Sequence, residues 1–195
     1  MPMVKHPSYV YAQNVVGGKI PAPKYVVTQC REFKEIFDGN HPKYKINHKR
    51  IENIDKILKV LKMAKGIRAG KSIYNSLSGY QWLLIVASLC TVLREDTKRR
   101  RYQTVILEIC RKNGKTFIVA LLFILLFYLE PPFSQFFSVA PDGTLARLIK
   151  EAMDPILKTN TDIFEDSEFK ILRDYILHNP THNKYTPLKI GRAHV

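Results

Sequence analysis

Thirteen consecutive apolar residues, Phe117-Ile-Val-Ala-Leu-Leu-Phe-Ile-Leu-Leu-Phe-Tyr-Leu129, constrain this chain more than any other stretch. A helix built from them offers water no polar face, so it must be enclosed on several sides or lie in lipid. Crossing a bilayer takes about 20 such residues. Pro131 and Pro132 end the run well before that, which predicts a core helix buried on several sides inside an α/β domain.

The flanking sequence supplies the rest of that domain. Tyr102-Gln-Thr-Val-Ile-Leu-Glu-Ile109 is rich in β-branched and aromatic residues and predicts a strand before the helix. Gln135-Phe-Phe-Ser-Val-Ala140 predicts a second strand, and Pro141-Asp142-Gly143 leads from it into a helix reaching about Leu157. Glu168 to Leu177 alternates as a further strand. Strand, helix, strand, helix in this order implies parallel pairing with crossover helices.

Upstream the character changes. Residues 1–28, punctuated by Gly17, Gly18, Pro21 and Pro23, read as an extended arm leading to a helix over about 25–38. After the break at Asp38-Gly-Asn-His-Pro42, the residues Ile51, Ile54, Ile57, Leu58 and Leu61 recur at helical spacing, with Lys49, Arg50, Lys56, Lys59 and Lys62 on other faces. This predicts a basic amphipathic helix over 47–63. Gly66-Ile-Arg-Ala-Gly70 interrupts the chain, an apolar helix follows from Gly79 to Leu93, and the charged connector Arg94–Arg101 closes the region. The division expected is a helical region with an N-terminal arm over 1–100 and the α/β core over 101–189.

Charge follows that division. The chain carries 31 Lys+Arg against 17 Asp+Glu, a net +14. Residues 1–100 hold 19 basic and 7 acidic side chains, a difference of +12, and residues 101–195 hold 12 and 10, a difference of +2. Such a surplus attracts polyanions, because neutralising phosphates releases condensed counterions, and nucleic acid is the natural partner. Cys30, Cys90 and Cys110 are too few and scattered for a disulfide framework or a zinc cluster, which fits a reduced cytosolic setting. His178 and His182 are separated by Pro180, so no shared helical face and no metal site is expected from them. The N-terminus shows no apolar segment behind a basic start, so no signal peptide is expected.

The loop between the predicted strand and the apolar helix reads Cys110-Arg-Lys-Asn-Gly-Lys-Thr116. Gly-Lys-Thr opening a helix behind a strand is the setting a phosphate-binding loop requires, with free N–H groups and the helix dipole facing the anion. Gly114 lets the backbone approach phosphates, Lys115 reaches β/γ oxygens, and the Thr116 hydroxyl ligates Mg²⁺. The usual pattern opens with a glycine that would fall at Ile109. A structural loop therefore stays open as an alternative on local grounds. A second Gly-Lys-Ser, Gly70-Lys71-Ser72, follows a helix instead of a strand and reads as a turn.

Arg111-Lys-Asn-Gly-Lys-Thr116 resembles the deviant phosphate loop of phage terminase large subunits, in which an arginine replaces the glycine-rich opening. Val15–Tyr25 is similar to that family's N-terminal arm, and Gly66–Lys71 with Gln81-Trp82 resembles the segment ending in its adenine-recognising glutamine. Ser138-Val-Ala140 and Tyr185-Thr-Pro-Leu188 look like its strand end and its approach to the second acidic motif. The resemblance spans about residues 11–189. It implies a P-loop NTPase fold with a parallel sheet flanked by helices, incomplete and preceded by a helical region. It also implies ATP and Mg as cofactors, with Lys115 on the β/γ phosphates, Gly114 and Asn113 among the cradling residues and Thr116 on Mg. Arg111 would act in cis on the γ-phosphate and Gln81 would read the adenine edge. Implied partners are duplex DNA, the phage portal and the small terminase subunit. A homo-oligomer, no membrane, and a place in the host cytoplasm and transiently at the capsid portal go with them.

The chain departs from the family in two respects. No hydrophobic strand ending in Asp-Glu follows Thr116, and no nuclease domain is present. Asp162, Glu165, Asp166 and Glu168 form an acidic cluster that reads as a solvated loop. Ile190-Gly-Arg-Ala-His-Val195 is similar to the conceptual translation of a short-read sequencing adapter, so 190–195 is expected to be a non-native tail. Two further readings stand beside the motor: a non-catalytic basic nucleic-acid-binding module with an accidental Gly-Lys-Thr, and a membrane-associated protein using residues 117–129.

Overall fold

A computed structural model describes residues 6–162, 164 and 168–190. The chain divides into two compact units, Met1–Asp55 with Leu77–Ile106, and Lys56–Ser76 with Leu107–Val195.

The first unit is mainly helical. Its N-terminal segment is α1 (Pro7–Val16) and not an extended arm. Pro7 occupies the first helical turn, where its missing N–H costs nothing, and the His6 ring accepts from the Ser8 N–H. Only the Gly17–Pro23 stretch behind it lies outside a helix. Then come α2 (Lys24–Phe37), β1 (Tyr44–Ile46), the first turns of α3 (His48–Val60), α5 (Gly79–Cys90) and β2 (Thr91–Leu93). Strands β1 and β2 pair antiparallel, Tyr44 opposite Leu93. The end of the predicted 79–93 helix is therefore strand, as β-branched Thr91 and Val92 prefer once a partner is available. At Gly79 an added Cβ would overlap the Tyr11 ring, so glycine is what lets α1 and α5 approach. Tyr9 ties the unit together: its hydroxyl donates to Asp38 Oδ2 at 3.1 Å, and the Lys34 ammonium lies 4.7 Å over its ring.

The second unit is mixed α/β. It holds the end of α3, α4 (Ile73–Ser76), α6 (Lys115–Leu129), β3 (Gln135–Ala140), α7 (Gly143–Thr159), β4 (Phe169–Ile171), β5 (Ile176–His178) and β6 (Asn183–Lys189). The sheet order is β3-β6-β5-β4. Strands β3 and β6 run parallel, Phe136 beside Tyr185, and the other two pairings are antiparallel. The predicted strand over Glu168–Leu177 is instead a hairpin, turning between Ile171 and Ile176.

Two sequence expectations change here. The sheet is mixed, with one parallel pair among the described residues. Residues 102–109 form no strand: they have no ladder partner, and Val105 and Ile106 are 48% and 87% exposed. Their composition suits a pleated strand, but backbone N–H and C=O groups hold that shape only against a neighbour. Pro187 inside β6 is tolerated for a related reason. Lys184 and Ile190 donate to Ser134 and Ala140 on the β3 side, so position 187 faces away from β3, beyond the end of β5.

The apolar run is buried as its composition demands. Ile118, Leu121, Ile124, Leu125 and Phe127 are fully enclosed, and Phe123 and Phe127 pack on Phe136 of β3. Helix α7 covers the same sheet face, where Ser138 Oγ donates to Ala146 O at 2.7 Å. Among the described residues no helix is long and apolar enough to cross a membrane. The C-terminal part of α3 is tied in by Asn160, which accepts from the Lys62 N–H at 2.7 Å and donates to the Lys62 carbonyl at 3.1 Å.

Candidate phosphate-binding loop

The turn before α6 is built from two left-handed residues. Lys112 has φ 65° and Gly114, the N-cap of α6, has φ 74°. That conformation suits glycine at 114, and a side chain there would be strained. The first helical hydrogen bond runs from Ile118 N–H to Gly114 O at 2.9 Å. The N–H groups of Lys115, Thr116 and Phe117 therefore have no acceptor within the helix. No side chain caps this end, and its first turn holds no acidic residue.

Helix α2 likewise starts without a side-chain cap, at Pro23, but the starts of α5 and α7 differ. Asp142 caps α7 by accepting from the Thr144 N–H at 2.5 Å, and Gln81 closes the start of α5. Of α5, α6 and α7, α6 alone presents open donors together with the positive end of its dipole.

Around that opening stand Arg111, Lys112 and Lys115, with Arg111, Lys112, Asn113, Gly114 and Thr116 all exposed. The Lys115 side chain folds back along the loop, and its Nζ donates to Ile109 O at 2.5 Å. The Asn113 amide reaches the Cys110 carbonyl at 3.5 Å. These residues fit a polyphosphate: exposed cations, open N–H groups, and an ammonium held on a main-chain carbonyl that an anion can displace. For a divalent cation, the Thr116 hydroxyl is the oxygen donor at the loop. No group of three or more His, Cys, Asp or Glu able to hold a metal occurs among the described residues.

The structure brings Arg111, Asn113, Gly114, Lys115 and Thr116 into one turn. Gln81 belongs to the first unit, in α5. Its Oε1 accepts from the Ser78 N–H at 2.9 Å, and the residue is 9% exposed. This is half of a capping box, a role also encoded in the Ser78-x-x-Gln81 spacing. Gly70-Lys71-Ser72 lies in a closed turn in which Lys62 bridges to Ser72 and Ser72 Oγ donates to Leu58 O at 3.2 Å.

The acidic cluster splits. Glu165 and Asp166 lie outside the described residues, as do 191–195 of the suspected tail. Asp162 accepts from Lys62 Nζ at 2.6 Å, which holds its carboxyl below the ordinary carboxylate range. Glu168 accepts from the Tyr128 hydroxyl at 2.8 Å and lies 3.2 Å from His178 Nε2. His182 instead stacks on Phe133, ring centroids 5.1 Å apart.

No protein-family profile matches the chain, and no curated protein matches it. Among solved structures it is similar to the crystal structure of the HK97 bacteriophage large terminase, with a TM-score of 0.55 and 18% identity. The match covers 77% of this chain and 29% of that one, so the chain spans under a third of that protein's length. At this identity the likeness is one of fold, a terminase-like mixed α/β arrangement.

Proposed function

We propose that the chain is the nucleotide-binding first part of an ATP-driven DNA-packaging motor of the large-terminase kind. The observation that carries this is the turn at 110–116: two left-handed residues, an uncapped helix start and Lys115 folded over the loop. The fold likeness to a phage large terminase supports it.

In this reading Gly114 and the amides of 114–117 cradle phosphate oxygens, and Lys115 exchanges the Ile109 carbonyl for the β/γ oxygens. Thr116 offers its hydroxyl to Mg²⁺, which would neutralise charge developing on the phosphates. Arg111 lies beside the γ position, where a guanidinium stabilises that charge. Asn113 shapes the turn. Residues 101–189 are then the first part of the ATPase core. The partners are duplex DNA, a portal and a small terminase subunit, the assembly is a homo-oligomer, and the place is the host cytoplasm.

Among the described residues no hydrophobic strand ends in Asp-Glu to place a carboxylate for activating water. The chain binds nucleotide without turning it over. Titration with a fluorescent ATP analogue in Mg²⁺ tests this: Lys115→Ala weakens binding by roughly tenfold or more, circular dichroism is unchanged, and phosphate release stays at background. Equal affinity in wild type and variant would remove the assignment, and sustained turnover by the wild type would remove the inactivity.

One observation favours a second reading. The segment ahead of the loop has no strand partner among the described residues, which leaves Gly-Lys-Thr in a weaker setting and the basic surplus as the main feature. A non-catalytic nucleic-acid-binding module would bind DNA and show no ATP affinity in the same titration.

A further inference from the structure

We infer that a basic cleft in the first unit, between the β1–β2 ribbon and the Arg99-Arg100-Arg101 turn, receives the phosphodiester backbone of nucleic acid. The inference takes only the class of partner from the functional reading above. It does not depend on the loop at Lys115.

The cleft is a cavity of about 350 Å³. Lys43, Arg99, Arg100 and Arg101 contribute four cations to its lining, against the two carboxylates of Glu95 and Asp96. Its walls are fixed. The Leu93 N–H donates to Arg99 O at 3.1 Å and the Arg101 N–H to Thr91 O at 2.9 Å, so the chain doubles back beside β2 as a hairpin. Within that hairpin Asp96 is partly committed to the turn, its Oδ1 accepting from the Lys98 N–H at 3.0 Å.

The arginines of the connector divide by role. Arg94 is structural, its Nε and Nη2 donating to His41 O and Gly39 O at 2.9 and 2.5 Å. Arg101 is an anchor, its guanidinium between the Tyr44 and Tyr102 rings at 4.7 and 4.5 Å, with Nη2 on Glu32 Oε1 at 2.5 Å. Its Nη1 is buried and has no hydrogen-bond partner, and the residue also lines the cleft. Buried guanidinium donors are normally satisfied, and a phosphate oxygen is the acceptor that suits a planar fork. Arg99 and Lys43 are exposed at the rim. Preset cations on a rigid ribbon, with the Tyr44 ring beside them, match an extended polyanion better than scattered surface lysines do.

The test is anisotropy of a fluorescein-labelled duplex of about 20 base pairs against the 195-residue chain, over a range of salt. The triple variant Lys43→Ala, Arg99→Ala, Arg100→Ala is compared with a control, Lys158→Ala, Lys170→Ala, Lys189→Ala, which removes the same charge from the second unit. Arg101 is left intact, so the ribbon keeps its anchor, and near-identical thermal melts check the fold. The cleft variant is expected to bind at least about tenfold more weakly and to lose roughly 2 to 3 from the logarithmic salt slope. The control is expected to stay within about twofold. Equal losses in the two variants, or no duplex binding by the wild type, overturn the proposal. An inorganic pyrophosphate titration separates the sources: displacement of the duplex only at high ionic strength equivalents supports a backbone site, and stoichiometric displacement shows a small-phosphate site and overturns it. Loss of ATP affinity in Lys115→Ala with DNA binding intact in the cleft variant would sink this inference alone, and the reverse pattern would sink only the nucleotide reading.

Discussion

Single side chains in this chain repeatedly hold backbone that sequence spacing alone would leave unexplained. Gln81 closes the start of α5, Asn160 clamps both polar groups of Lys62, and Asn183 donates to Phe127 O at 2.9 Å while its Oδ1 accepts from the Ser134 N–H. His178 is the case with a measurable consequence. It is 2% exposed, set among Phe127, Tyr128 and Phe169, and burial pulls its pKa below the ordinary 6.5, with Glu168 opposing that shift. A lowered folded value means that the unfolded chain takes the proton more readily. The stability tied to neutral His178 is therefore whole above about pH 6.5 and drains away as pH falls through the folded pKa. Urea unfolding at about pH 7 and about pH 5 checks this: wild type is expected to lose more stability over that interval than His178→Gln, and parallel losses would contradict it. The turn at 110–116 was legible as a candidate because its chemistry is local, a glycine, a lysine and a threonine in sequence. At Gln81 two roles share one residue type, and the hydrogen bond from the Ser78 N–H shows the capping one.

Most helices were readable and most strands were not, for a physical reason. The periodicity of α2, α3 and α7 and the apolar run of α6 are properties of each segment alone, and each helix begins and ends within a few residues of its expected bounds. A strand is specified by its partner. Gln135–Ala140 found β6 and became β3, whereas Tyr102–Ile109, equally rich in β-formers, has no partner and stays outside the sheet. The 7–16 helix was not legible because prolines and glycines surround it, although Pro7 sits in the first helical turn, where proline is at home. The contrast between the unpaired segment and α6 is measurable. Ile106→Lys, at a position 87% exposed, is expected to change stability by no more than about 0.5 kcal/mol. Leu121→Ala, at a fully buried position, is expected to cost about 2–5 kcal/mol. Denaturant melts of the two variants give both numbers, and a large cost at Ile106 would show that this segment is paired after all.

At the scale of the whole molecule, the positive charge is shared: the first unit holds 14 basic and 7 acidic side chains and the second 17 and 10, a difference of +7 in each, because the basic Lys56–Ser76 segment belongs to the α/β unit that carries the phosphate loop. The surplus in residues 1–100 was plain in the sequence, and its division between the units was not. The mixed sheet was not, because strand direction depends on how Ile171 to Ile176 turns back, a choice that strand composition does not encode. Amide hydrogen exchange over the entire chain, with and without Mg·ATP, addresses the central claim most directly. Slowed exchange concentrated at residues 112–118, with the Gly70-Lys71-Ser72 turn unaffected, is the result predicted. Exchange at 112–118 that stays the same at saturating nucleotide, or protection that appears at 70–72 instead, would contradict it.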